Sequence, residues 1–105
     1  MTVVFHRLAE RELIAAAKSY ETRAPGLGAD FIRQVERTLS EIVTNPDAGT
    51  LFAGGRIRRR LLRRFPFGLV YQRDTENILV IAVMHLHRRP GYWKTRLRRC
   101  SSPDR

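Results

Sequence analysis

The sequence predicts an α+β domain in which two amphipathic helices form an antiparallel hairpin on a mostly antiparallel four-stranded sheet. Three observations lead there. Apolar residues recur at helical spacing through the first half, the second half breaks into short strand-like runs, and the links between those runs are too short for a parallel crossover. A chain of 105 residues allows one domain with one modest core, and an apolar fraction of 43% is enough to fold it.

The elements follow in order. Thr2-Val3-Val4-Phe5-His6 is β-branched and aromatic and reads as a strand. From Leu8 the period changes: Ala9, Leu13, Ala16 and Tyr20 fall on one helical face, and Glu10, Arg11, Glu12, Lys18 and Glu21 take the rest. Ala24-Pro25-Gly26 stops that helix, because proline cannot continue it and glycine permits the turn. A second helix is expected from Leu27 to Thr44, with Leu27, Phe31, Val35, Leu39 and Ile42 as its apolar stripe and Asn45-Pro46-Asp47 as its end.

The second half supplies the sheet. Arg56–Arg63, Phe67–Arg73 and Asn77–Met84 read as strands linked through Phe65-Pro66-Phe67 and through Asp74-Thr75-Glu76-Asn77. Ile78 to Met84 is apolar on both faces and is expected inside the sheet. In the first of the three, Ile57 and Leu61 are expected to point inward while Arg56, Arg58 and Arg60 alternate outward. That arrangement leaves an arginine-rich face or edge away from the helices. Residues 1–97 read as one domain, and Arg98 to Arg105 as a disordered basic tail.

Charge and cysteine use narrow the function classes. The net charge is +10, and its distribution is lopsided: residues 1–50 carry six basic and seven acidic side chains, residues 51–105 fourteen and three. Such a field favours a polyanionic partner, and arginine suits bidentate contacts to phosphate or carboxylate. Arg56, Arg58, Arg60, Arg63 and Arg96 are the candidate contacts to nucleic acid or to an acidic protein. The longest apolar run, Ile78 to Met84, is far short of a bilayer span, and the N-terminus lacks signal-peptide design. A lone Cys100 builds neither a disulfide framework nor a zinc cluster. A cytoplasmic protein without cofactor, metal or membrane contact is the expectation.

Candidate chemistry gathers after the last strand. His85 and His87 are two apart and would share a face, and histidine is the natural proton shuttle near neutral pH. The competing reading is that one of them caps the strand end by a hydrogen bond. A metal at the His-x-His pair lacks a nearby carboxylate or thiolate in sequence to complete it. Tyr92 and Trp93 follow Pro90-Gly91 and suit either stacking on a base beside arginines or packing back on the sheet, the latter favoured for Trp93. Tyr20 and Tyr71 lie on apolar faces and are expected in the core.

Three local patterns carry a family likeness. Pro25-Gly26-Leu27-Gly28 with Phe31 and a closing Asn45-Pro46 is the first, and Arg64-Phe65-Pro66-Phe67-Gly68-Leu69-Val70-Tyr71 the second. The third is the ending, Ile81 to Trp93, in which an apolar strand meets histidine, then arginine, proline and an aromatic pair. In this order, over residues 3–97, they resemble the RelE/ParE family of toxins from type II toxin–antitoxin pairs. The resemblance implies the strand, hairpin and sheet described above. It implies a cognate antitoxin, acidic or DNA-binding and encoded adjacently, that wraps and neutralises the toxin. It implies one of two targets: RelE-type members cut mRNA in the ribosomal A site, and ParE-type members poison DNA gyrase.

The RNA-cleaving members use arginine, lysine and tyrosine, with histidine or glutamate in some relatives, as acid, base and phosphate clamp. By resemblance Tyr92 matches the tyrosine after the last strand, and Arg63 or Arg64 the arginine before the Tyr71 strand. The basic residue at the end of the last strand falls on Leu86, a departure that His85, His87 or Arg88 would have to fill. The catalytic set under this reading is His85, His87, Arg64, Arg88 and Tyr92. The long hairpin and the histidine-arginine-proline ending look more like the ParE or unclassified plasmid-stabilisation branch, and with the departure at Leu86 they lean to the gyrase target, with a non-catalytic nucleic-acid-binding module as a further alternative.

Overall fold

The computed structural model describes residues 2–52 and 56–100, with side chains as far as Leu97. In chain order it runs β1 (Thr2–Phe5), α1 (Arg7–Arg23), α2 (Leu27–Thr44), a 3-10 turn (Pro46–Ala48), β2 (Thr50–Leu51), β3 (Ile57–Leu61), β4 (Phe67–Arg73), β5 (Asn77–His85) and α3 (Lys94–Cys100). The strands lie in the order β1-β5-β4-β3-β2. β1 pairs parallel to β5, from Thr2 beside Asn77 to Phe5 beside Val80, and the other neighbours pair antiparallel. The sheet therefore has five strands, not four. The additional β2 pairs Thr50 with Arg59 and Leu51 with Arg58, and two residues are too few to show alternation in sequence. α3 is the other unforeseen element: its last three residues are the first three of the expected tail, and residues 101–105 lie outside the described residues.

The hairpin is fixed by its turn. His6 Nδ1 accepts the Leu8 N–H at 3.0 Å and starts α1. Gly26 sits at φ +85°, which a side chain would strain, and the Glu21 carboxylate accepts the N–H groups of Gly26 and Gly28. A Cβ at residue 28 would stand 2.6 Å from the Ala17 carbonyl oxygen, so glycine lets the two helices touch. Their stripes meet the sheet as the sequence indicates, with Ala9, Tyr20, Phe31, Val35 and Ile42 buried against Phe67, Leu69, Tyr71, Ile78, Val80 and Val83.

The opposite face carries a second core, Ile57, Val70, Ile81, Ala82, Met84 and Trp93, with Phe52 and Leu97 packed on it. Trp93 is 2% exposed and holds the C-terminal segment on the sheet, as expected. This face corrects the reading of β3. Arg58 and Arg60 sit opposite Tyr71 and Leu69, on the hairpin side, whereas Ile57 points to the second core and Leu61 is 49% exposed. Among the described residues the face opposite the helices is covered by Trp93, Phe52 and Leu97 and is not a bare arginine face. β5 serves both cores by carrying one extra residue: Val70 faces Ala82 and Tyr71 faces Val80, which leaves Ile81 as a bulge.

Candidate functional site

The arginines of β3 are tied to the end of α2 and the turn after it. Arg60 and Arg63 each reach the Glu41 carboxylate at 3.1 Å. Arg58 donates to the Gly49 carbonyl at 2.9 Å and lies 3.9 Å from Asp47, which Arg73 also approaches at 3.7 Å. The Tyr71 hydroxyl donates to the Pro46 carbonyl at 2.7 Å and pins the same turn. Burial raises its pKa, partly offset by a backbone hydrogen bond from Gly49 and by the charges of Arg58 and Arg60. Of the expected binding arginines, Arg56 and Arg63 are exposed, and Arg58 and Arg60 are half-buried with acidic partners.

A second cluster forms where β5 runs beyond β1. There Glu12 of α1 accepts four hydrogen bonds. They come from the Val83 N–H at 3.0 Å, the Tyr92 hydroxyl at 2.8 Å, and both ends of the Arg96 guanidinium at 3.0 and 2.8 Å. Arg96 also donates to the Ile81 carbonyl at 2.9 Å. Glu12 and Arg96 thus satisfy strand-edge groups flanking the bulge, which β1 is too short to pair. The fork geometry is the strong form of this pair. Arg96, expected among the exposed binding arginines, is instead buried against Glu12.

Around this pair stand the residues expected to do chemistry. The Arg88 guanidinium lies 3.9 Å from the Tyr92 ring centroid and that of Arg96 5.1 Å. Burial, then the hydrogen bond to Glu12 and its charge, push the Tyr92 hydroxyl well above the ordinary tyrosine range, which keeps it protonated and a weak acid. Burial alone would lower the Arg96 pKa, but the Glu12 hydrogen bonds and charge outweigh it and the net shift is upward. His85 packs its ring on Phe67, with centroids 5.0 Å apart, and its Nδ1 accepts the His87 N–H at 3.0 Å. The strand-capping reading therefore holds for His85. The two histidine rings are 5.0 Å apart, and His87, Arg88 and Arg89 are exposed beside them. Arg64 lies in the β3–β4 link, exposed, with its guanidinium 5.5 Å from the Phe65 ring. Among the described residues, no three or more His, Cys, Asp or Glu are grouped as a metal would need.

This fold has counterparts. A family model described as "ParE toxin of type II toxin-antitoxin system, parDE" matches residues 3–90, most of the chain. The chain belongs to the ParE toxin family. Among solved structures it is similar to one titled "Chromosomal ParDE TA system from P. aeruginosa", at a TM-score of 0.72 and 19% identity. That likeness covers 83% of this chain and 97% of the other. No curated protein matches it. It is thus the toxin half of a type II toxin–antitoxin system, with a cognate ParD antitoxin as its partner. No helix among the described residues is long and apolar enough to cross a membrane.

In this ParE toxin the sequence reading missed Glu12, the residue at the centre of the cluster. Its charge groups it with the polar residues of α1. A signal was present, since residue 12 is three after Ala9 and four before Ala16 and therefore lies along the buried stripe. A carboxylate there needs a partner, and nothing in the local sequence names Arg96.

Proposed function

We propose that this ParE toxin acts in the cytoplasm by poisoning DNA gyrase, through the stretch from His87 to Arg99 and without side-chain chemistry on RNA. The observation that supports this reading is the occupation of the candidate proton-transfer groups. The Tyr92 hydroxyl is given to Glu12, and His85 would have to release the His87 N–H before its Nδ1 could take a proton. Within that stretch Arg88, Arg89 and Lys94 have no acidic partner among the described residues. An acidic antitoxin segment would gain more at those positions than at Arg58 and Arg60, whose partners are already in place.

Purified toxin added to gyrase and relaxed plasmid is the direct test. Loss of supercoiling, or trapped cleaved DNA, is expected, and induced cells should filament with a DNA-damage response. Transcripts cut at the ribosome within minutes of induction, with supercoiling intact, would overturn it.

A second reading, mRNA cleavage, draws on the exposure of His87 beside Arg88, a proton carrier next to a phosphate-binding cation. A non-catalytic module would instead bind nucleic acid with a steep loss of affinity as salt is added, and neither arrest growth nor cut RNA.

A further inference from the structure

We propose that Glu12 is the positioning residue of the toxic segment: from α1 it sets where the stretch Arg88–Leu97 lies on the sheet, and so where Arg88 is presented. This rests on the reading that the stretch from His87 carries the toxicity.

The geometry is specific. One carboxylate joins three elements that the chain itself does not hold together: α1, which carries it, the β5 edge through the Val83 N–H, and the segment after Pro90 through Tyr92 and Arg96. Arg96 repeats the link from the other side by donating to the Ile81 carbonyl. The exposed Arg88 is not touched by Glu12. It rests on the Tyr92 ring at 3.9 Å, and Tyr92 is oriented by its hydroxyl on Glu12. The chain of support therefore runs from Glu12 to Tyr92 to Arg88. Trp93 supplies grip without direction, since an apolar ring on the second core fixes depth and leaves rotation about the strand edge to polar contacts. The upward shift of the Tyr92 hydroxyl is consistent with this contact.

The test uses the full chain, purified from its antitoxin complex, as wild type and as E12Q, E12D and Y92F. Hydrogen exchange is followed by residue segment, and killing by colony survival after induction. Glu12→Gln removes the charge at constant shape. It should speed exchange across residues 88–97 by on the order of a hundredfold while α2 and β4 keep their protection. It should also raise survival by about tenfold or more. Glu12→Asp, which keeps the charge on a shorter arm, should restore part of both. Y92F removes one contact and leaves the pair of Glu12 with Arg96, so it should affect Arg88-dependent killing with little change in exchange at Val83. It also stays informative if E12Q fails to fold. A spectroscopic check runs alongside, because tyrosine ionisation followed by ultraviolet absorbance should shift to lower pH in E12Q. Unchanged exchange over residues 88–97 in E12Q, or killing that is intact in both E12Q and Y92F, would overturn the proposal. Arg88→Ala with Arg89→Ala isolates the underlying reading. If that double variant kills as wild type does, the toxic surface lies elsewhere, whatever the exchange data say of Glu12.

Discussion

Arg60 and Glu41 meet at 3.1 Å across the seam between β3 and α2, the guanidinium from the sheet and the carboxylate from the helix. Their side chains are 27% and 28% exposed, so solvent screens the pair in part. The coupling should be about 0.5–1 kcal/mol by a double-mutant cycle of R60A with E41Q. Charge reversal at Arg60 would set two carboxylates together and cost stability before any partner is met. A cycle that closes at zero would show the contact to be incidental.

His85→Ala should leave toxicity nearly unchanged, because the ring caps the strand end and packs on Phe67. A general acid or base would lose about 10²–10⁴-fold on the same change. Survival curves after induction separate the two cases, and a loss of that size would restore RNA cleavage as the activity.

Trp93→Ala should destabilise the fold by about 3–5 kcal/mol in denaturant titrations, as large buried truncations do. Trp93→Phe should be much milder, about 1.5 kcal/mol or less. The reason is that Nε1 is buried without a hydrogen-bond partner among the described residues, so phenylalanine removes an unsatisfied donor along with some packing. Equal losses for the two variants would show that the N–H is satisfied in solution.

Alkaline pH should weaken the fold through its tyrosines. Tyr92 and Tyr71 are both shifted upward from the ordinary value of 10.0, mainly by burial, so the folded state holds protons that the unfolded chain releases. Their contribution is complete below that pH and is lost as pH rises through the folded values. Melting temperature should hold steady up to about pH 10 and fall beyond it, with a shallower fall in Y92F. The same slope in Y92F would assign the loss to other groups.

The hairpin was legible to the residue for α2, because Phe31, Val35 and Ile42 repeat at helical spacing between a glycine turn and Asn45-Pro46. Trp93 and the apolar β5 were legible because burial follows composition. The orientation of β3 was not. Alternation in Ile-Arg-Arg-Arg-Leu marks two faces but not which one meets the helices, and acidic partners on α2 and its turn drew Arg58 and Arg60 to the hairpin side. Glu12 was hidden for a different reason. Its partners lie 71, 80 and 84 residues along the chain, and a tertiary ion pair leaves no periodic trace.

The extra residue in β5 acts as a phase shift. With strict alternation from Ile78 and Val80, the hairpin-facing positions would continue to Ala82 and Met84, and His85 would land under α3. Because Ile81 and Ala82 both turn to the second core, Val83 and His85 come round to α1, beside Glu12, Ala15 and Ala16. Deleting Ile81 should therefore remove the bulge and leave Val83 and His85 on the α1 side, whereas the full strand without its bulge would turn Ala82 and Met84 there instead. A relative lacking this one residue would present the same side chains to α1 from a plain strand, so an alignment gap belongs at the bulge, where it preserves strand parity.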